Sequence, residues 1–314
     1  MRIFLAGATG AIGQHLVPAL VAAGHSVVAM IRSQSKTDLV GLMGASPVIA
    51  DAFDASAVLA AVRQAEPEIV IHQLTAIPPN ANFRTFDRDF ALTNRLRREG
   101  LNNLLAAARS AGASRFIAQS FVGWTYAREG GPVKTEEDPL DPHASRAMRT
   151  TLDTIRSLET TVLETTDLEC LALRYGILYG PGSSIARDGG YLVKLVRRRR
   201  LPIIGRGTGI WSFIHLDDVA AATLRALDHG APGVYNVVDD DPAAVMQWLP
   251  VLAEAVGAKP PFRVPVFVGR LVAGEGSVIV MNEIRGASNA KAKRALDWQL
   301  IFPSWRDGFR KGLA

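Results

Sequence analysis

Three glycines, at positions 7, 10 and 13, carry the most definite chemistry in this chain. They lie in Gly7-Ala8-Thr9-Gly10-Ala11-Ile12-Gly13, after the apolar run 2–7 and before a helical pattern that starts at Ala11. A strand, a glycine-spaced turn and a helix start together make an anion cradle. The first glycine allows the tight turn, the second lets the backbone approach a pyrophosphate, and the third lets helix and strand pack closely. Backbone amides around Thr9, Ala11 and Ile12 would then face the phosphates at the helix start. A tight turn without a ligand is the alternative, but three glycines cost conformational stability that a plain turn does not require.

A second set of residues bears on which dinucleotide binds. The second strand pattern ends in Ile31-Arg32-Ser33, with Lys36 close behind. A carboxylate at this place selects the ribose hydroxyls of NAD(H). A guanidinium can grip a ribose phosphate bidentately, so Arg32 and Ser33 point to NADP(H) ahead of NAD(H).

A third set could move protons. The polar, turn-rich segment 124–146 leaves the fifth strand pattern, and its start should lie at the carboxyl edge of a parallel sheet, where ligands bind. Tyr126, Lys134 and His143 are the candidates. Tyr126 is the first choice as proton donor, with Lys134 lowering its pKa, and His143 the second. Phe121, Trp124 and Trp211 suggest a flat or apolar substrate, although Trp211 packing a lobe interface fits its surroundings equally well.

These residues need a scaffold, and the hydrophobic pattern supplies one. Apolar β-rich runs at 2–7, 25–32, 47–51, 68–74, 115–121, 168–175 and 233–238 alternate with helical patterns from Ala11, from Ala55, at 94–110, at 145–163 and from Asp217. Alternation of this kind predicts an α/β fold, a Rossmann-type doubly wound parallel sheet. Residues 1–175 form the dinucleotide-binding domain, with the sheet completed by about 210–240. Residues 176–209 and 241–314 form a smaller substrate-binding lobe. Met148, Leu152, Ile155 and Leu158 make one apolar stripe on the 145–163 helix, which faces either the chain's own sheet or, as in related folds that pair this helix with the 94–110 helix, a second copy in a homodimer.

With 314 residues, 48% hydrophobic and 21% charged, the chain can bury a full core. Its net charge of +5 is spread along the sequence without a nucleic-acid motif. The single cysteine, Cys170, lies in an apolar run and reads as a core thiol. No His/Asp/Glu cluster has metal spacing, and no apolar run reaches membrane-spanning length. The expectation is therefore a cytoplasmic protein with a small-molecule substrate, no metal, no nucleic acid and no membrane partner. The run of four arginines at 197–200 reads as a solvated helix end.

The loop spacing resembles the extended short-chain dehydrogenase/reductase family of NAD(P)-dependent epimerases and dehydratases. Asp51-Ala52 resembles its adenine-contacting pair, and His72-Gln73-Leu74-Thr75-Ala76 its loop beneath the cofactor. The segment from Leu173-Arg174-Tyr175-Gly176 to Gly182, Ser212-Phe213-Ile214-His215-Leu216-Asp217-Asp218-Val219, Val234-Tyr235-Asn236-Val237 and Leu296-Asp297-Trp298 also match in order. The resemblance implies cofactor contacts at Asp51, Ala52, Leu74, Thr75, Ala76, Ser120 and Tyr175. It also implies a Ser or Thr after the fifth strand and a Tyr-x-x-x-Lys pair on the next helix, and here the match breaks. The hydroxyl position falls on Phe121. Counting from Glu159, the pair falls on Thr151 and Ile155; counting from Asp141-Pro142, it falls on His143 and near Ser145-Arg146.

Together these readings predict an atypical member. It would be an NADP(H)-dependent reductase or dehydrogenase for a small, largely apolar carbonyl or conjugated substrate, using a non-standard proton donor. An epimerase or isomerase using the cofactor transiently, or a non-catalytic NADP(H) sensor, are the alternatives.

Overall fold

Continuous apolar runs become strands covered on both faces, as expected for a parallel sheet between helices. The computed structural model describes residues Met1–Ala314. Its strands are β1 (Arg2–Ala6), β2 (Ser26–Ile31), β3 (Ser46–Ile49), β4 (Ile69–His72), β5 (Arg115–Phe121), β6 (Glu169–Tyr175) and β7 (Gly233–Val237). All pair in parallel, in the order β7-β6-β5-β4-β1-β2-β3. The order reverses between β1 and β4, and this switch point places a crevice at the carboxyl ends of those two strands.

Two helices, α1 (Ala11–Ala22) and α5 (Leu216–Arg225), cover one face of the sheet. Ile12, Leu16, Val17, Leu20 and Val219 pack there against Ile3, Leu5, Ile71, Ile117 and Leu173. The other face is covered by α2 (Ala55–Ala65), α3 (Leu101–Ser110) and α4 (Arg149–Glu164), which pack on Phe4, Val70, Phe116, Ala118 and Cys170. Cys170 is a buried free thiol, pushed up to about 11 by burial. Pro18 lies inside α1.

A third core lies beyond the carboxyl edge. It gathers residues of α6 (Val245–Ala255), α8 (Glu275–Asn282) and α9 (Trp305–Lys311) around Phe213, Trp248, Trp305 and Phe309; α7 (Val266–Ala273) packs beside it through Ala273. The chain reaches this lobe after β6 and again after β7. Asp218, at the start of α5, accepts the amides of Ile301 and Phe302 at 2.5 and 3.0 Å, which pins the C-terminal segment to the main sheet.

The apolar stripe on α4 faces the chain's own interior. Met148, Leu152, Ile155 and Leu158 are all buried, Met148 and Leu152 in the lobe core and Leu158 in the core on the sheet. The outward side of α4 carries Asp153, Arg156 and Ser157, so the stripe gives no support to a homodimer.

Candidate active site

The cofactor loop is shaped by two glycines that the chain itself needs and one that it does not. Gly7 has φ 106°, and a side chain there would meet the Gln73 carbonyl oxygen at 2.6 Å. A side chain at Gly13 would meet the Ala8 carbonyl oxygen at 2.3 Å and that of Gly7 at 2.4 Å. Gly10 is different. It is exposed, its φ of −77° suits any residue, and the nearest atom to an added Cβ is the Gly7 carbonyl oxygen at 3.4 Å. A ligand-free turn accounts for Gly7 and Gly13 and leaves Gly10 unexplained. A phosphate brought against the amides that open α1 accounts for all three. The residues present therefore fit a dinucleotide.

The rest of the crevice follows the switch point. Arg32 is exposed beyond β2, and neither it nor the exposed Lys36 has a carboxylate partner. Ser33 caps the next turn by accepting the Ser35 amide. Asp51 accepts the Phe53 amide at 3.0 Å, and Asn103 donates to the Ala52 carbonyl at 2.8 Å, which fixes the turn after β3. His72 shapes the turn after β4. Burial holds its imidazole neutral, down to about 4; its Nδ1 accepts the Leu74 amide, and its Nε2 then donates to the Leu96 carbonyl. Ala76 donates its amide to Thr93 at 3.0 Å. Leu74, Thr75 and Ala76 are thereby left half-buried at the carboxyl edge.

Beside β5 the side chains are tied to one another. Ser120 donates to Glu159 at 2.6 Å, and Arg174 grips the same carboxylate with two bonds of 2.7 and 2.6 Å. Arg174 also donates to the Tyr126 hydroxyl, which donates in turn to Asn236, both at 2.9 Å. The bonds to Glu159 raise the Arg174 pKa against the desolvation that burial imposes.

This network overturns the expected proton donor. Tyr126 is 2% exposed, and burial pushes its phenol up to about 12. Lys134 does not lower it. That ammonium is buried and paired with Asp138 at 3.0 Å. His143 lies apart from both, exposed, with its amide held by Asp141 and its carbonyl by Arg128. The structure does not bring the three together. Ser120 and Tyr175 also face inward rather than toward a cofactor. Tyr175 is 1% exposed, with its hydroxyl between Gln73 and Thr223.

The start of α4 is equally closed. Thr151 donates to Asp87 at 2.7 Å and accepts from Asn94 at 2.9 Å. Ile155, one turn later, is buried, and no tyrosine or lysine occurs anywhere in the helix. The sequence alone does not single out Asp87 or Arg174 as site residues. Arg174 did leave a signal, because a charge inside an apolar strand must find a partner.

The aromatic residues divide. Phe121 is half-buried, and its ring lies where a Gly123 side chain would be, 2.5 Å from that position. Trp124 stands 6.4 Å from Phe121 and edge-on to Phe86 at 5.4 Å. Phe121 can border a flat ligand, and Trp124, itself 7% exposed, backs it from the lobe core. Trp211 cannot border one. It is buried in the lobe, stacked among Phe213 and Trp248, with its indole donating to the Val280 carbonyl at 2.8 Å.

Comparison with known proteins agrees with this architecture. The family model for the NAD dependent epimerase/dehydratase family matches residues 3–237. A 3-diazoavenalumate denitrifying reductase of a Streptomyces species is 42% identical over 98% of this chain and 99% of its own length. A 2-alkyl-3-oxoalkanoate reductase of Stenotrophomonas maltophilia is 27% identical over 82% of this chain and 76% of its own. In structure, the chain superposes on the UDP-glucose 4-epimerase of Thermus thermophilus bound to NAD with TM-score 0.77 at 24% identity, covering 100% and 98% of the two chains. A human epimerase family protein bound to NADPH gives 0.74 at 18%, covering 100% and 99%. The chain belongs to the NAD-dependent epimerase/dehydratase family and is an oxidoreductase.

Proposed function

We propose that this family member is an NADPH-dependent reductase that replaces the diazonium group of a flat, conjugated compound with hydrogen and releases dinitrogen. The observation that carries the reading is the closed corner beside β5. Thr151 and Ile155 occupy the helix, Phe121 ends the strand, and the nearest phenol, Tyr126, is locked between Arg174 and Asn236. Reduction of a carbonyl needs a proton at oxygen, and a positioned acid contributes roughly 10²–10⁴-fold to such a step. Displacement of nitrogen needs none. As hydride forms the new C–H bond, the C–N bond breaks and dinitrogen leaves with that bond's electron pair. The diazonium charge and the hydride charge cancel, so no proton is taken up. The relative that is 42% identical is named as a denitrifying reductase of a diazo compound, which agrees.

Reduced nicotinamide, when bound, supplies the hydride. The chain's own residues do the positioning. Backbone amides around Gly10 hold the pyrophosphate, Arg32 with Lys36 holds a ribose phosphate, and Phe121, backed by Trp124, presents an apolar edge to the reacting ring. Incubation with NADPH and a diazonium salt of an aminocinnamate tests the reading. Cofactor oxidation should match dinitrogen release one to one, in excess of an enzyme-free control. Cofactor loss without nitrogen release, or no enzyme-dependent loss, counts against it.

A second reading is favoured by the relatives at 27% identity, which are named as a reductase of 2-alkyl-3-oxoalkanoates and a ketoreductase. In it the substrate is a ketone and the proton comes from water or from the exposed His143. The homodimer is retained as a proposal that rests on how related folds pair the helices after the fourth and fifth strands. Light scattering at micromolar concentration decides it, and a monomeric mass rejects it.

A further inference from the structure

A small cavity of about 290 Å³ opens between the turn before α4 and the helices α7 and α8. Three of its guanidinium groups, on Arg146, Arg149 and Arg270, make no ion pair and no hydrogen bond within the chain. A fourth, on Arg128, is committed to Asp141 and Glu283. The only free carboxylate on the wall is Glu275, so positive charge prevails. Ser145 adds an independent sign. It is 7% exposed and lines the same cavity, yet its hydroxyl has no hydrogen-bond partner. Buried hydroxyls are seldom left unpaired, because desolvation without a partner is costly. A hydroxyl without a partner beside three uncommitted cations is the arrangement expected where an anion docks.

The cavity wall is also shared with the lobe core that holds Trp124. Ala144, Val278 and Ile279 line it and belong to the same core as Phe86, Trp124 and Met148. Phe121 packs against that core from the β5 end. At about 290 Å³ the cavity lies just below the range for whole-ligand sites, about 300–1,000 Å³, so it suits one end of a ligand.

We infer that this cavity binds the carboxylate tail of the substrate, with Arg149 and Arg270 as the charged grip, Arg146 in support and Ser145 as a hydroxyl donor. The substrate class is then a conjugated organic carboxylate, its ring at Phe121 and Trp124 and its acid end at the arginines. The inference deepens the proposed function and rests on it for the placement of the ring, although binding is measurable without turnover.

The probes are 4-hydroxycinnamate and 4-hydroxycinnamamide, which have the same shape and differ in charge, titrated calorimetrically into the full chain saturated with NADP⁺. The acid should bind about ten- to a hundredfold more tightly than the amide. Arg149→Gln and Arg270→Gln should each remove most of that difference and leave amide affinity unchanged. Ser145→Ala deletes an unpartnered buried hydroxyl, so the melting temperature should hold or rise while acid affinity falls severalfold. Equal binding of acid and amide by the parent, or variants that weaken both probes alike, would overturn the inference. Tight acid binding without diazonium reduction would leave it standing and reject the proposed reaction alone.

Discussion

The two ends of the crevice are built on opposite principles. At the β1–α1 end the ligand-facing groups are backbone amides and side chains with no partner in the chain: Gly10 opens to solvent, and Arg32 and Lys36 are unpaired. At the β5–α4 end the polar side chains satisfy one another, Ser120 and Arg174 on Glu159, Tyr126 on Arg174 and Asn236, and Thr151 on Asp87 and Asn94. The first end is prepared to accept a charged partner. The second has already committed the donors of Ser120, Tyr126, Thr151 and Arg174 internally. A polar group near a reacting centre is therefore no sign of catalysis until its hydrogen bonds are accounted for.

The sharpest way to break this contrast is to open the closed end. Arg174→Met would leave Glu159 buried without its cation and Tyr126 without one partner. Breaking a buried pair by removing one member costs about 3–5 kcal/mol. Chemical denaturation should show a loss of that order. A loss under about 1 kcal/mol would mean that the network is solvated rather than closed.

A milder effect is expected at the open end. Arg32→Ala should lower NADPH affinity about ten- to a hundredfold while leaving NADH nearly unchanged, since a charge-assisted contact is worth roughly 1.5–3 kcal/mol. Because Arg32 has no partner in the chain, the melting temperature should not move. Equal affinities for the two cofactors in the parent would remove the basis for NADP(H).

The smallest effect concerns the contact between α1 and α5. His15 on α1 binds Asp217 on α5 at 2.6 Å and the Pro181 carbonyl at 3.0 Å. The hydrogen bond to Asp217 raises the His15 pKa above 6.5, and the same bond lowers that of Asp217 below 3.8. The histidine's contribution is complete below its unfolded pKa and disappears as pH rises through the folded one. The aspartate's holds above its unfolded pKa and disappears as pH falls through the folded one. With Asp217 half-exposed, the gain is under about 1 kcal/mol. His15→Gln should flatten the fall in melting temperature on the alkaline side of pH 6.5. An unchanged slope would show that the imidazole is not charged.

The same contrast explains what could be read from the sequence. The open end uses local, position-fixed signals: glycine spacing, the residue ending a strand, an apolar run before a helix. All seven strands and the loop of residues 7–13 were therefore legible, with boundary shifts such as 47–51 against Ser46–Ile49. The closed end depends on partners far away in the chain. Tyr126 meets Arg174 and Asn236, respectively 48 and 110 residues on, so a tyrosine in a polar loop read as accessible when it is buried. Trp211 and the α4 stripe show the same limit. Periodicity and residue type say that a face is apolar, and only packing says what covers it.

The central claim is that hydride reaches a ring carbon as nitrogen leaves, without a proton from the protein. Deuterium carried at the transferring position of NADPH tests it directly, with the diazonium salt of an aminocinnamate as substrate in ordinary water. The account predicts one deuterium in the cinnamate product, on the carbon that bore nitrogen, at an undiminished rate in the Tyr126→Phe variant. Solvent hydrogen at that carbon, or a rate loss of roughly 10²-fold or more in Tyr126→Phe, would contradict it.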